Sequence, residues 1–161
     1  MTDLCDNLSN IPDVAELLPH QAPMILVDKL ISVDDENVHT QVIIKESEMF
    51  FNHETQSVPS YVGIEYMAQT IGAWSGFHAW KKCQKPAVGF LLGTRRYTCE
   101  YSEFPLGLQL DIFAEYIMES NGMAAFQCRI KHAGKELATA QLNAFAPSEQ
   151  QLADIMNSIR N

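Results

Sequence analysis

No Asp or Glu occurs between Tyr66 and Cys99, although the chain carries 20 acidic residues against 11 Lys and Arg and a net charge of −9. The acidic total argues against general nucleic-acid binding. The gap points elsewhere: Lys81, Lys82, Lys85, Arg95 and Arg96 all fall inside it, as a solvated helix end and strand or as a local dock for an acidic partner. Long apolar runs are also missing, and stretches such as Met24–Val27 are far too short to cross a bilayer. The start, MTDLCDNLSN, has neither the basic residues nor the apolar core of a secretory signal. Cysteines 5, 83, 99 and 128 form no CxxC pair and no His/Cys ligand pattern, which predicts reduced thiols in a cytoplasmic protein. There is no GxGxxG, Walker or GxSxG pattern, so nucleotide binding and hydrolase-elbow chemistry lack support. His20, His39, His78 and His132 have no ligand spacing with a second His, Cys or Asp, so no metal is expected.

What is present is one folded domain. The 161 residues, 47% of them hydrophobic, suffice for a full core, and no repeat of solenoid period occurs. Residues 1–12 are expected to be a flexible N-terminus, with a helical turn over Asp13–Leu18. Met24–Val33 reads as a strand, Asp34–Asn37 as a turn, and Val38–Ile44 as a second strand, alternating Val38, Thr40, Val42 and Ile44 against polar neighbours. Met49–Pro59 reads as a loop. A helix is predicted from about Tyr61 to Lys82, apolar nearly all round and therefore buried on most sides. Ala68, Gly72 and Gly76 recur every four residues, a stripe without side chains that predicts close approach of a sheet. Four strands follow, over 87–101, 108–118, 124–132 and 136–145, with Asn121-Gly122 as a hairpin turn because both residues tolerate positive φ. Residues 148–160 read as a terminal helix, opened by a capping box at Ser148 and Gln151 with Leu152, Ile155, Met156 and Ile159 on one face. The order predicts an α+β domain whose antiparallel sheet wraps one long central helix.

The chemistry gathers between Met49 and Gln69. Glu65 falls in the first turns of the apolar helix, beside Ile64, Met67 and Ala68, where an ionised carboxylate costs several kcal/mol, roughly, without compensation. Surface exposure near the helix N-terminus is the alternative. His53, in the preceding loop, is either a polar surface residue or a base partnered with Glu65. The N–H groups of Ser60 and Tyr61 could polarise a carbonyl as an oxyanion hole does. Together these groups suit proton abstraction next to a carbonyl followed by loss of a leaving group.

Three segments resemble the hotdog-fold 3-hydroxyacyl-(acyl carrier protein) dehydratases of fatty-acid synthesis. LLPHQAPMILVDKL, residues 17–30, resembles the family's Leu-Pro-His opening. VPSYVGIEYMAQ, residues 58–69, resembles the start of its central helix, and Lys135–Asn143 its last strand. The resemblance implies a homodimeric hotdog fold and no metal or organic cofactor. It further implies a thioester substrate in a tunnel at the dimer interface, eliminating water to a trans-2-enoyl product. By position it implies Glu65 as the acid, His53 as the base from the opposite subunit, and the Ser60 N–H facing the thioester carbonyl. Phe90, Leu91 and Trp74 would lie against the acyl chain, and the Lys81–Arg96 cluster would meet the acidic carrier protein. The family's Gly-His-Phe-Pro is here Asn52-His53-Glu54-Thr55 on a shorter loop, and its motif glycine is Ser60. These departures suggest a divergent branch serving a polyketide-like pathway such as aryl polyene synthesis. They leave open a thioesterase on the same fold, and a non-catalytic acyl-binding or partner subunit of a dehydratase.

Overall fold

The computed structural model describes residues 12–84, 90–145 and 149–160. A short turn of helix, α1 (Val14–Leu17), precedes a hairpin of β1 (Lys29–Val33) and β2 (Asn37–Ile43). A three-residue strand, β3 (Ser57–Pro59), and a 3-10 turn over Ser60–Val62 then lead into the central helix α2 (Gly63–Lys81). The rest is β4 (Phe90–Cys99), the short β5 (Glu103–Pro105), β6 (Gln109–Ser120), β7 (Met123–His132), β8 (Lys135–Phe145) and a terminal helix α3 (Glu149–Arg160). The six long strands form one antiparallel sheet in the order β1-β2-β6-β7-β8-β4, and β3 pairs with β5 beside it.

The sequence pattern explains most of this. Val38, Thr40, Val42 and Ile44 alternate inward as a half-buried strand requires. Asn121 and Gly122 take φ of +55° and +81°, the geometry that turns β6 into β7. Inward residues of the sheet, among them Leu110, Ile112, Phe126, Ile130 and Leu142, meet Tyr66, Met67, Ile71 and Ala73 of α2 in one core. Thr40 is buried among them, and its hydroxyl pairs with that of Thr70 at 2.7 Å, while Thr70 donates to the Tyr66 carbonyl at 2.7 Å.

Four expectations are corrected. The first strand is shorter than 24–33, because the buried Gln69 side chain replaces the ladder there. Its Oε1 accepts from the N–H of Leu26 (2.8 Å) and Val27 (3.4 Å), and its Nε2 donates to the Met24 carbonyl (2.7 Å). The glycine stripe is met by α1 and not by the sheet. A Cβ on Gly76 would lie 1.9 Å from the Leu17 carbonyl oxygen, and one on Gly72 would lie 3.0 Å from Leu18 Cδ2. The loop 49–59 ends in a strand, β3, that only its distant partner β5 defines. Cys83 is disulfide-bonded, so it is not the expected free thiol, whereas Cys99 and Cys128 are free. Burial pushes the Cys128 thiol up to about 12, so it is unreactive near neutrality. The terminal helix forms as expected, with Met156 and Ile159 exposed and Ile155 half-buried. Residues 1–11, Lys85 and Ser148 lie outside the described residues, as do the side chains of Phe90, Leu91 and Leu152. No described helix is long and apolar enough to cross a membrane.

Candidate active site

Glu65 lies in the first turn of α2, half-buried. One turn on, Gln69 is 1% exposed and donates from Nε2 to Glu65 Oε1 at 3.3 Å. Positions i and i+4 share a helix face, so the amide that ties residues 24–27 to the helix also holds the carboxylate. The Leu-Pro-His segment and the central helix therefore meet at one side chain.

Tyr97 sets the other side of the helix start. Its hydroxyl donates to the Ser60 carbonyl at 2.5 Å, and burial pushes that hydroxyl well above its usual range, so it stays a donor. Gly63 makes room for the ring, since a Cβ there would lie 2.4 Å from the Tyr97 oxygen. The Ser60 N–H, expected to face the thioester carbonyl, has a partner in the protomer. It donates to the Ser102 carbonyl at 3.0 Å, and a donor so engaged must break that bond to serve a substrate. Tyr61, the other donor candidate, is 69% exposed at the same helix start.

His53 rides the tip of a tight turn. Asn52 Oδ1 accepts from the N–H of Glu54 (2.9 Å) and Thr55 (3.3 Å), Gln56 takes φ +53°, and the Asn52 and Ser57 backbones bridge. This Asx turn is what the short sequence Asn-His-Glu-Thr encodes. The His53 ring is exposed and rests edge-on against the buried Phe51, centroids 5.1 Å apart. No hydrogen bond joins His53 to Glu65 within the protomer, where the Glu65 carboxylate meets Gln69 instead.

Two further expectations change. Trp74 is nine residues beyond Glu65, which is half a turn round the helix and about 13 Å along it. It stacks on Tyr116 (5.4 Å, 14°), meets Phe126 edge-on (5.3 Å), and donates from its indole N–H to the Asp35 carbonyl (3.2 Å). That is a core contact on the sheet side of the helix, not a wall beside Glu65. Phe90 and Leu91 open β4, and their side chains lie outside the described residues. The cation cluster divides as well. Arg95 and Arg96 are exposed next to Tyr97, where Arg96 takes φ +56° in a bulge. Lys81 and Lys82 close the helix about 27 Å from its start, and Lys81 pairs with Asp35 at 3.8 Å.

Residues that sequence reading did not single out include Gln69, Tyr97 and Glu48. Gln69 was legible as a polar residue amid Met67, Ala68 and Ile71 on a helix buried all round. Tyr97 donates to the Ser60 carbonyl and Glu48 accepts from the Tyr66 hydroxyl across loops, and nothing in local sequence marks these partners. Among the described residues no three His, Cys, Asp or Glu side chains gather as a metal site.

The model of the ApeP-like family, described as ApeP dehydratase, matches residues 12–157. The 3-hydroxyacyl-[acyl-carrier-protein] dehydratase FabZ of Acinetobacter baylyi is 28% identical over 136 residues, 83% of this chain and 91% of that protein. FabZ of Vibrio vulnificus is 30% identical over 139 residues, 83% and 90% of the two chains. Among solved structures, a chain of the dehydratase heterocomplex ApeI:P from Xenorhabdus doucetiae superposes with a TM-score of 0.85 at 33% identity, over 92% of this chain and 99% of that one. A hypothetical thioesterase from Streptococcus pneumoniae, solved with coenzyme A, matches with a TM-score of 0.58 at 13% identity over 74% and 85%, a likeness of fold alone.

Proposed function

We propose, from the premise that this chain belongs to the ApeP-like dehydratase family, that it eliminates water from a 3-hydroxyacyl thioester carried on an acyl carrier protein. The observation that carries the reading is Glu65, held by Gln69 at the opening of the central helix within the motif that matches the family. In the proposed step His53 of one subunit takes the C2 proton as a neutral imidazole. The C–H electron pair becomes the C2–C3 double bond, the C3–O bond breaks, and Glu65 of the other subunit protonates the departing hydroxyl as water. The thioester carbonyl gathers charge as the proton leaves, and Tyr61 at the helix start is the donor candidate once Ser60 is committed to Ser102. His53 and Glu65 share no bond within one protomer, which supports a site completed by a second hotdog subunit. The heterocomplex of the Xenorhabdus relative supports a different chain in that place, and the assay below compares it with a second copy. Arg95 and Arg96, exposed beside Tyr97, are the proposed contact for the acidic carrier protein, whose attraction should weaken with salt.

The test follows the conjugated enoyl product from a 3-hydroxyacyl thioester, with free thiol monitored in parallel. The purified chain is assayed alone and mixed with a candidate partner subunit, and His53→Ala and Glu65→Gln are compared with the wild type. Enoyl product lost in both variants supports the assignment. Thiol release without enoyl product means thioesterase chemistry. Turnover in the mixture that is indifferent to both variants makes this chain the non-catalytic partner.

A further inference from the structure

The loop that carries His53 has one half-buried carboxylate, Glu48, with no place in the reaction above. Residues 45–50 are exposed apart from the half-buried Glu48. At its ends the loop is tied by backbone bonds, Ile44 to Leu108 and Gly107, and Gln56 to Leu106. Between them two side chains turn inward: Phe51, against whose ring His53 rests, and Glu48, which accepts a hydrogen bond from the Tyr66 hydroxyl. That is the one side-chain hydrogen bond joining residues 45–53 to the central helix among the described residues, and it lands next to Glu65. The other oxygen of Glu48, Oε2, is buried with no partner.

We propose that Glu48, acting through Tyr66, is the positioning residue that docks the His53 loop on the central helix, and that it holds most strongly as the neutral acid. An ionised carboxylate with one oxygen buried and unmatched is costly, whereas the neutral acid still accepts from Tyr66 through Oε1. The Tyr66 hydrogen bond and Lys45 favour the anion, but burial outweighs them. Asp28, from the segment before β1, opposes it, and Lys45, on the loop itself, is already paired with Asp28. Tyr66, from the helix, is buried and stays protonated. Burial accordingly raises the Glu48 carboxyl above the usual range. For a raised carboxyl, the docked state holds its proton while the released state ionises. Docking is thus at full strength below the usual carboxylate range, and weakens as pH rises until the raised value is passed.

This proposal rests on His53 being the base, and its test separates the two. Amide protection of residues 45–56, corrected for intrinsic exchange, is measured from about pH 5 to about pH 9 beside the kcat and KM profiles, where each pH unit between the usual carboxylate range and the raised value costs docking up to about tenfold. The wild type should lose protection and kcat together on the alkaline side, with KM little changed. Glu48→Gln, a permanent mimic of the neutral acid, should remove the pH dependence of protection. Tyr66→Phe should leave the loop poorly protected throughout. Wild-type protection that is flat with pH, or the same pH dependence in Glu48→Gln, overturns the clamp even if His53 is essential. Protection that follows Glu48 while His53→Ala keeps full turnover upholds the clamp and removes the base assignment.

Discussion

The two halves of the central helix are built on different principles. The first half, from Gly63 to Thr70, buries polar side chains and gives each a distant partner: Gln69 with Met24, Leu26 and Val27, Tyr66 with Glu48, Thr70 with Thr40. The second half, from Ile71 to Lys81, is mostly shape. Gly72 and Gly76 admit α1, and Trp74 fills a stack with Tyr116 and Phe126. A buried polar group costs roughly 1–3 kcal/mol if its partner is lost, so the first half holds only one arrangement of the segments around it. The second half is a scaffold that holds the first in place. A carboxylate placed for chemistry belongs in the half where the surrounding groups are fixed.

The largest break in that comparison comes from exchanging Glu65→Gln with Trp74→Ala. Glu65→Gln should lower turnover by about 10²–10⁴-fold with an unchanged melting temperature. Trp74→Ala should cost about 3 kcal/mol of stability while surviving folded molecules keep their turnover. Turnover lost in Trp74→Ala with the fold intact would return Trp74 to the acyl wall.

Next in size is Gly76→Ala, whose new methyl would meet a backbone carbonyl. It should lose about 2–3 kcal/mol in urea unfolding. Gly72→Ala faces only the end of the flexible Leu18 side chain, so equal costs at the two sites would argue against the close approach of α1.

Gln69→Leu should cost about 2 kcal/mol by leaving Leu26 N–H and Met24 C=O unmatched, and should lower kcat beyond what folding loss explains, because Glu65 loses its donor. A stability loss with kcat intact would confine Gln69 to architecture.

The smallest effect distinguishes the two groups of cations. Arg95→Glu with Arg96→Glu should raise KM for a carrier-bound substrate several-fold, on the order of 1 kcal/mol, and not for a short thioester free of carrier. The same change at Lys81 and Lys82 should leave both KM values alone, as measured at low and high salt.

Several of these features were readable before any coordinates. The alternation of Val38, Thr40, Val42 and Ile44 and the Asn121-Gly122 turn are local, because strand period and turn φ are set by adjacent residues. The glycine spacing showed that something came close to the helix. It did not show what, because α1 and the sheet are equally compatible with an empty face. Glu65 was visible as a charge out of place on an apolar helix. The 24–28 segment was misread as strand because its apolar run is the same whether its N–H groups find a ladder or the Gln69 side chain.

The sequence by itself determined the α+β order, the buried central helix and the family motif around Glu65, since each is a matter of local periodicity or contiguous residues. Only the tertiary structure decided that the Ser60 N–H is spent on Ser102, that Trp74 stacks on Tyr116, that Lys81 pairs with Asp35, and that Glu48 reaches Tyr66. Each of those pairs residues far apart in the chain. Such pairing depends on which backbone groups and faces remain unmatched after the local elements form, and that is settled only when sheet and helix pack together.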